Sequence, residues 1–168
     1  MLSSIIHNID AISQRSGKWI AWLVLPNVLA LVYEVIARYV LQRPTIWSYE
    51  VTYFFYGTHF LIGAAFVLFV KGHIRIDVIY MHLPPRGQAL IDVLGYCILF
   101  FPVMIALIYG GVEFTVQSFQ MGEKSGASPW RPHLYPFKSV LVISFLLLFL
   151  QGLSEFLKNL TILLKGKE

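Results

Sequence analysis

Charge is scarce in this chain. Only 13% of its 168 residues are Asp, Glu, Lys or Arg, while 57% are hydrophobic. That balance lies outside the range of soluble globular domains and leaves little chain for an independent soluble unit. Cysteine is nearly absent. The single Cys97 excludes an intramolecular disulfide and, lying in an apolar run, is expected to act as a small buried hydrophobe. No Cys/His cluster has metal-ligand spacing, and no glycine-rich loop precedes a helix to cradle phosphate. No Ser, His and Asp are placed to meet at one depth. Enzymatic chemistry, a cofactor and a metal site therefore find no support. The first eighteen residues lack the continuous apolar stretch of a secretory signal and carry Asp10 among spaced apolar positions.

What is present is length in apolar runs, at about 19–41, 51–70, 93–112 and 139–160. A helix rising about 1.5 Å per residue needs about 20 mostly apolar residues to cross a hydrocarbon core of about 30 Å. The second and third runs supply them with no charged residue inside. Mean hydropathy is +0.68. The fold class expected is an all-α integral membrane protein, four transmembrane helices in one domain (19–168) preceded by an amphipathic interfacial helix (1–18). A net charge of +4 would hint at nucleic acid in a soluble chain. Here the basic residues gather at span ends, where membrane lipids and insertion topology account for them, and no nucleic-acid partner is expected.

In the N-terminal segment Leu2, Ile5, Ile6, Ile9 and Ile12 recur at helical spacing with Asn8, Asp10, Gln14 and Arg15 largely elsewhere around the turn, the pattern of a helix resting in the interface plane. Counting Lys and Arg by side gives eight with the termini and five opposite, so the positive-inside rule places both termini in the cytoplasm. Pro26 and Pro102 are expected to kink spans one and three. The segment from Glu113 to Lys138, with Gly122, Gly126, Pro129, Pro132 and Pro136, reads as a structured external loop. Beyond Ser154 an apolar stripe through Phe156, Leu157, Leu160 and Leu164 carries span four onward, by tilt or by a bend along the inner surface.

Ionisable residues in spans are the first candidates for function, because charge in hydrocarbon is costly unless paired or hydrated. Glu34 and Arg38 are four apart, acid first, on one helical face. They form either a coupling carboxylate or a mutually neutralised structural pair, and the second fits better because a coupling acid is normally left free. His59, mid-span, invites comparison with a haem ligand, but no other span holds a histidine, so an interhelical hydrogen bond is the expected role. Two segments stand apart from plain hydrophobic sequence. Arg38-Tyr39 followed by Trp47-Ser48-Tyr49-Glu50 frames the hairpin between spans one and two. Gly72-His73-Ile74-Arg75-Ile76-Asp77 closes span two, with Gly72 releasing the helix and Arg75 and Asp77 free to pair with each other or with Arg86.

At these residues the chain resembles the small permease subunit, DctQ-like, of tripartite ATP-independent periplasmic (TRAP) transporters. The likeness covers nearly the whole chain: four spans, an Arg-Tyr ending the first, Trp47 and Glu50 before the second, and Gly72, His73, Arg75 and Asp77 after it. The resemblance implies a multi-pass protein of the bacterial inner membrane that braces a large permease subunit. That partner would hold the substrate and sodium sites, and a periplasmic substrate-binding protein would deliver an organic acid, typically carboxylate-bearing. On that picture Arg38, Trp47, Glu50, His73, Arg75 and Asp77 are structural or interface residues. Two other readings are a stand-alone small multidrug or cation antiporter built on Glu34, and a membrane-anchor subunit of a respiratory complex.

Overall fold

A computed structural model describes residues 2–72, 80 and 82–165. The helices are α1 (Leu2–Ala21), α2 (Val24–Tyr39), α3 (Ser48–Phe69), α4 (Pro85–Gly95), a π turn (Tyr96–Phe100), α5 (Phe101–Gln120) and α6 (Tyr135–Lys165), with no strand among the described residues. Followed as continuous paths, Leu2–Tyr39, Ser48–Phe69, Pro85–Gln120 and Tyr135–Leu164 are each long and apolar enough to cross a membrane. α6 is the hub, packing on α1, α3, α4 and α5, whereas α2 packs chiefly on α3.

Both intraspan prolines leave their mark. Pro26 has no N–H to offer the Trp22 carbonyl and its ring crowds that carbonyl, so the first path breaks at Trp22 and Leu23. The N–H groups of Trp22 and Leu23 tighten onto the carbonyls three residues back, Trp19 at 3.2 Å and Ile20 at 3.0 Å. Pro102 is absorbed differently. The turn before it widens into the π geometry, with the Phe101 N–H donating to the Tyr96 carbonyl five residues back. The π turn brings Phe100 against α6, where a Cβ on Gly152 would meet the ring at 2.1 Å. Around that contact Tyr96, Phe100, Phe101, Phe149 and Phe156 form an edge-to-face cluster joining α5 to α6.

The π turn also corrects the expectation for Cys97. Its extra residue carries Tyr96 inward, 9% exposed, and leaves Cys97 exposed. The bounds of the external loop and the release of α3 also differ from the sequence reading. Glu113 belongs to α5, which runs to Gln120, and α6 begins at Tyr135, so the loop spans 121–134 and not 113–138. Gly122, at a φ of +59°, ends α5, with Glu123 and Gly122 donating to the Ser118 and Phe119 carbonyls. α3 is released one residue before Gly72: Lys71 takes the left-handed conformation at φ +55°, and the Gly72 N–H reaches the Val67 carbonyl at 2.8 Å. α6 is one uninterrupted helix of 31 residues, so the apolar stripe past Ser154 continues without a bend at a break.

α1 buries a line of Ile9, Ser13 and Gly17 against the protein while Leu2, Ile5, Ile12 and Trp19 stay exposed. The protein-facing line is spaced four residues apart and has small side chains at two of its three positions, which lets the helix approach closely. A Cβ on Gly17 would lie 2.4 Å from Phe66 Cγ and 2.5 Å from Phe66 Cβ.

Candidate functional site

The hairpin between α2 and α3 is organised by one carboxylate. Glu34 Oε1 accepts from Arg38 Nε at 2.9 Å and Nη2 at 2.5 Å, while Oε2 accepts from the Thr45 backbone N–H at 3.1 Å and from the Thr45 hydroxyl. Thr45 Oγ1 in turn accepts the Ser48 N–H at 3.2 Å, one of the donors left orphaned at the start of α3. The buried Ser48 hydroxyl donates across the hairpin to the Ala30 carbonyl at 3.1 Å. Trp47, at the N-cap position of α3, stacks on Tyr33 with ring centroids 5.8 Å apart. Both oxygens of Glu34 are thus spent, Oε1 on Arg38 of the same helix and Oε2 on tying α2 to the turn at Thr45, so the pair is structural in this geometry. Arg38 itself remains half exposed.

Glu50, in the first turn of α3 where a negative charge suits the helix dipole, is 1% exposed and accepts from the Ser128 hydroxyl at 3.0 Å. That contact latches the 121–134 loop to the hairpin. The loop is closed on itself by an antiparallel bridge between Lys124 and His133, with the Ser125 N–H donating to the Pro132 carbonyl at 2.8 Å and the Leu134 N–H to the Glu123 carbonyl at 3.0 Å. Its base is held by Lys138, a buried residue whose ammonium pairs with Glu123 and sits 3.5 Å from the Phe114 ring centroid.

The Lys138 ammonium beside it holds the Glu123 carboxyl below its ordinary value of 4.5. A carboxyl depressed in the folded state contributes stability that is present above its unfolded value and is lost as pH falls through the folded one. Hydrogen exchange of residues 121–134, corrected for its intrinsic pH dependence, should therefore be flat at neutral pH. It should rise in acid below about 4.5, with Glu123→Gln raising it at neutral pH and removing the acid rise.

At the opposite end α1 is pinned to α6. Asp10 Oδ1 accepts from Gln151 Nε2 at 3.0 Å and Ser154 Oγ at 2.7 Å, and Oδ2 pairs with Lys158 Nζ at 2.8 Å. Lys158 also pairs with the buried Glu155 at 2.6 Å. Midway between the ends, His59 Nδ1 lies 3.1 Å from the Ile20 carbonyl. A carbonyl only accepts, so the ring proton sits on Nδ1 and the expected interhelical hydrogen bond is made to the backbone at the break in the first path.

Of the residues singled out from sequence, Arg38, Trp47 and Glu50 come together around the hairpin and its loop. His73, Arg75 and Asp77 lie outside the described residues. Sequence reasoning missed the partners Thr45 and Ser128 and the whole Asp10 cluster. Gln151, Ser154 and Lys158 do share one helical face at spacings of three and four, and that polar stripe in an apolar run was a legible signal.

The described polar groups thus join helices to one another. A comparison with curated proteins finds no match. A family model does match, over residues 27–161: the DctQ component of tripartite ATP-independent periplasmic transporters, whose members work with a large permease and a periplasmic binding protein. That span runs from within α2 to within α6 and takes in the hairpin, its loop and most of the hub helix. With four membrane-crossing paths and a match across most of its length, this chain belongs to the DctQ family, the small membrane subunits of TRAP transporters, a transporter component and not an enzyme family.

Proposed function

We propose that this protein is a static scaffold for the large permease subunit in sodium-coupled uptake of an organic acid, a carboxylate by the family resemblance, delivered by a periplasmic binding protein. The observation that carries the scaffold role is the use of its membrane polar groups. Asp10, His59 and Lys158 are each engaged in holding helices of this same chain together, and Glu34 is engaged in fixing α2 to the turn that follows it. A stand-alone antiporter would need Glu34 free to exchange protons, and its two oxygens are occupied. On this reading Arg38, Trp47 and Glu50 fix the outer hairpin, and His73, Arg75 and Asp77 serve structure or subunit contact on the inner side. The 121–134 loop faces the periplasm and both termini face the cytoplasm. The exposed apolar stripe of α1 rests in the inner interface, and the uncovered faces of α2 and α5 are available to lipid and to the large subunit.

The test is reconstitution. Liposomes holding this chain with its large subunit should take up solute when the binding protein and an inward sodium gradient are supplied, and liposomes holding this chain alone should take up none. Accumulation by the chain alone would overturn the proposal.

A further inference from the structure

We propose that the groove between α2 and α3 is a specific phospholipid site, with the phosphate at Arg38 and an acyl chain running inward past Leu31 and Tyr56. The groove has a volume of about 400 Å³, within the range of small-molecule sites, and its lining includes Leu31, Arg38, Tyr49, Thr52, Tyr53 and Tyr56.

Its polarity is graded along the helices. Arg38 lies at the hairpin end, whereas Leu31 is seven residues below it on α2 and Tyr56 eight residues below Ser48 on α3. At about 1.5 Å per residue the groove therefore descends about 10–12 Å from the hairpin, the distance from headgroup to upper acyl chain.

The hydrogen-bond inventory selects the occupant. The groove's carboxylate, Glu34, has spent both oxygens on Arg38 and Thr45, and the Ser48 hydroxyl is committed to Ala30. Arg38 uses Nε and Nη2 on Glu34, which leaves the rest of its five donors pointing elsewhere. Thr52 Oγ1 is buried and has no partner. Among the described residues, no hydrogen bond engages the hydroxyls of Tyr49, Tyr53 or Tyr56, all of them more than half exposed.

A surplus of donors that begins at headgroup level and continues toward the hydrocarbon, where bulk water falls away, calls for a ligand rich in acceptors. A phospholipid supplies a phosphate, which guanidinium recognises well, two ester carbonyls for the hydroxyls below it, and a chain for the apolar remainder. This inference depends on the membrane embedding of the chain and not on what is transported.

The full chain, exchanged into nanodiscs of palmitoyl-oleoyl phosphatidylethanolamine and phosphatidylglycerol and released in the gas phase, is read by native mass spectrometry. One phospholipid should stay bound to the wild type. Its occupancy should fall about tenfold, the equivalent of roughly 1.4 kcal/mol, in Arg38→Gln and in Leu31→Trp, which fills the groove and leaves Glu34 and Arg38 themselves unaltered. Should Arg38→Gln fail to fold, Leu31→Trp carries the test alone. Absence of a retained lipid in the wild type would overturn the assignment, as would equal retention in Leu31→Trp. So would loss of co-purification with the large subunit in Leu31→Trp at unchanged lipid occupancy, which would make the groove a seat for a partner helix.

Discussion

Replacing Gly17 with valine is expected to detach α1 from the rest of the bundle. The nearest obstacles to a new side chain are Phe66 Cγ at 2.4 Å and Cβ at 2.5 Å, and a Cβ is fixed to its own backbone, so no ring rotation clears the space. The helices would have to separate. Overpacking of a close contact costs about 1–3 kcal/mol, and here the loss spreads, because α1 moves as a rigid rod that also carries Asp10. The expected result is faster hydrogen exchange and faster proteolysis across residues 2–16, with α3 to α6 unaffected. Gly17→Ala should show the same effect at smaller size, and Phe66→Ala, which removes the ring but leaves its Cβ in place, should relieve it only in part in a double-mutant cycle. Unchanged protection of α1 in Gly17→Val would show that it does not dock on α3 through this contact.

The second large effect is expected at Asp10. Asp10→Ala leaves Gln151 Nε2 and Ser154 Oγ, both on fully buried residues, without the acceptor they share, and leaves Lys158 with Glu155 alone. Each unsatisfied buried polar group costs about 1–3 kcal/mol, for a sum of roughly 2–4 kcal/mol after partial relaxation. That corresponds to a fall of roughly 5–10 °C in the thermal midpoint of the purified protein in detergent. Asp10→Asn keeps an acceptor for Gln151 and Ser154 and loses only the pairing with Lys158, so it should sit between alanine and wild type. Midpoints for Asp10→Ala within experimental scatter of wild type would mean that the cluster is solvated and contributes nothing.

These two sites show where the sequence stops being informative. Gly17 is one of 12 glycines, and nothing in its neighbours distinguishes it from Gly63, where a Cβ would meet nothing within 4 Å. The difference is the presence of Phe66, 49 residues away, on the facing helix. Asp10 read as part of the polar face of a surface helix because its local surroundings are polar, and its three partners lie more than 140 residues downstream. Glu34 and Arg38 were legible, being local at a spacing of four. Their use was not, because Thr45 closes on Glu34 only after the chain has turned left-handed at Gln42, with a φ of +53°. Cys97 was misjudged for a related reason. Membership of an apolar run does not say which of its residues meet a neighbouring helix, and at the π turn ahead of Pro102 it is Tyr96 that turns inward and Cys97 that is left exposed.

What the sequence determined by itself was the solvent and the class: long apolar runs with charges at their ends admit helices in a bilayer, since each backbone group must be satisfied within its own segment. Helix ends at prolines and glycines, and the family through Arg38, Trp47 and Glu50, were also carried locally. The tertiary structure alone decided which small residues face a neighbour, which polar groups meet across helices, and which face is left uncovered. Those outcomes depend on the rotation and approach of helices far apart in the chain, and hydrophobicity, being nearly uniform around a membrane helix, does not encode them.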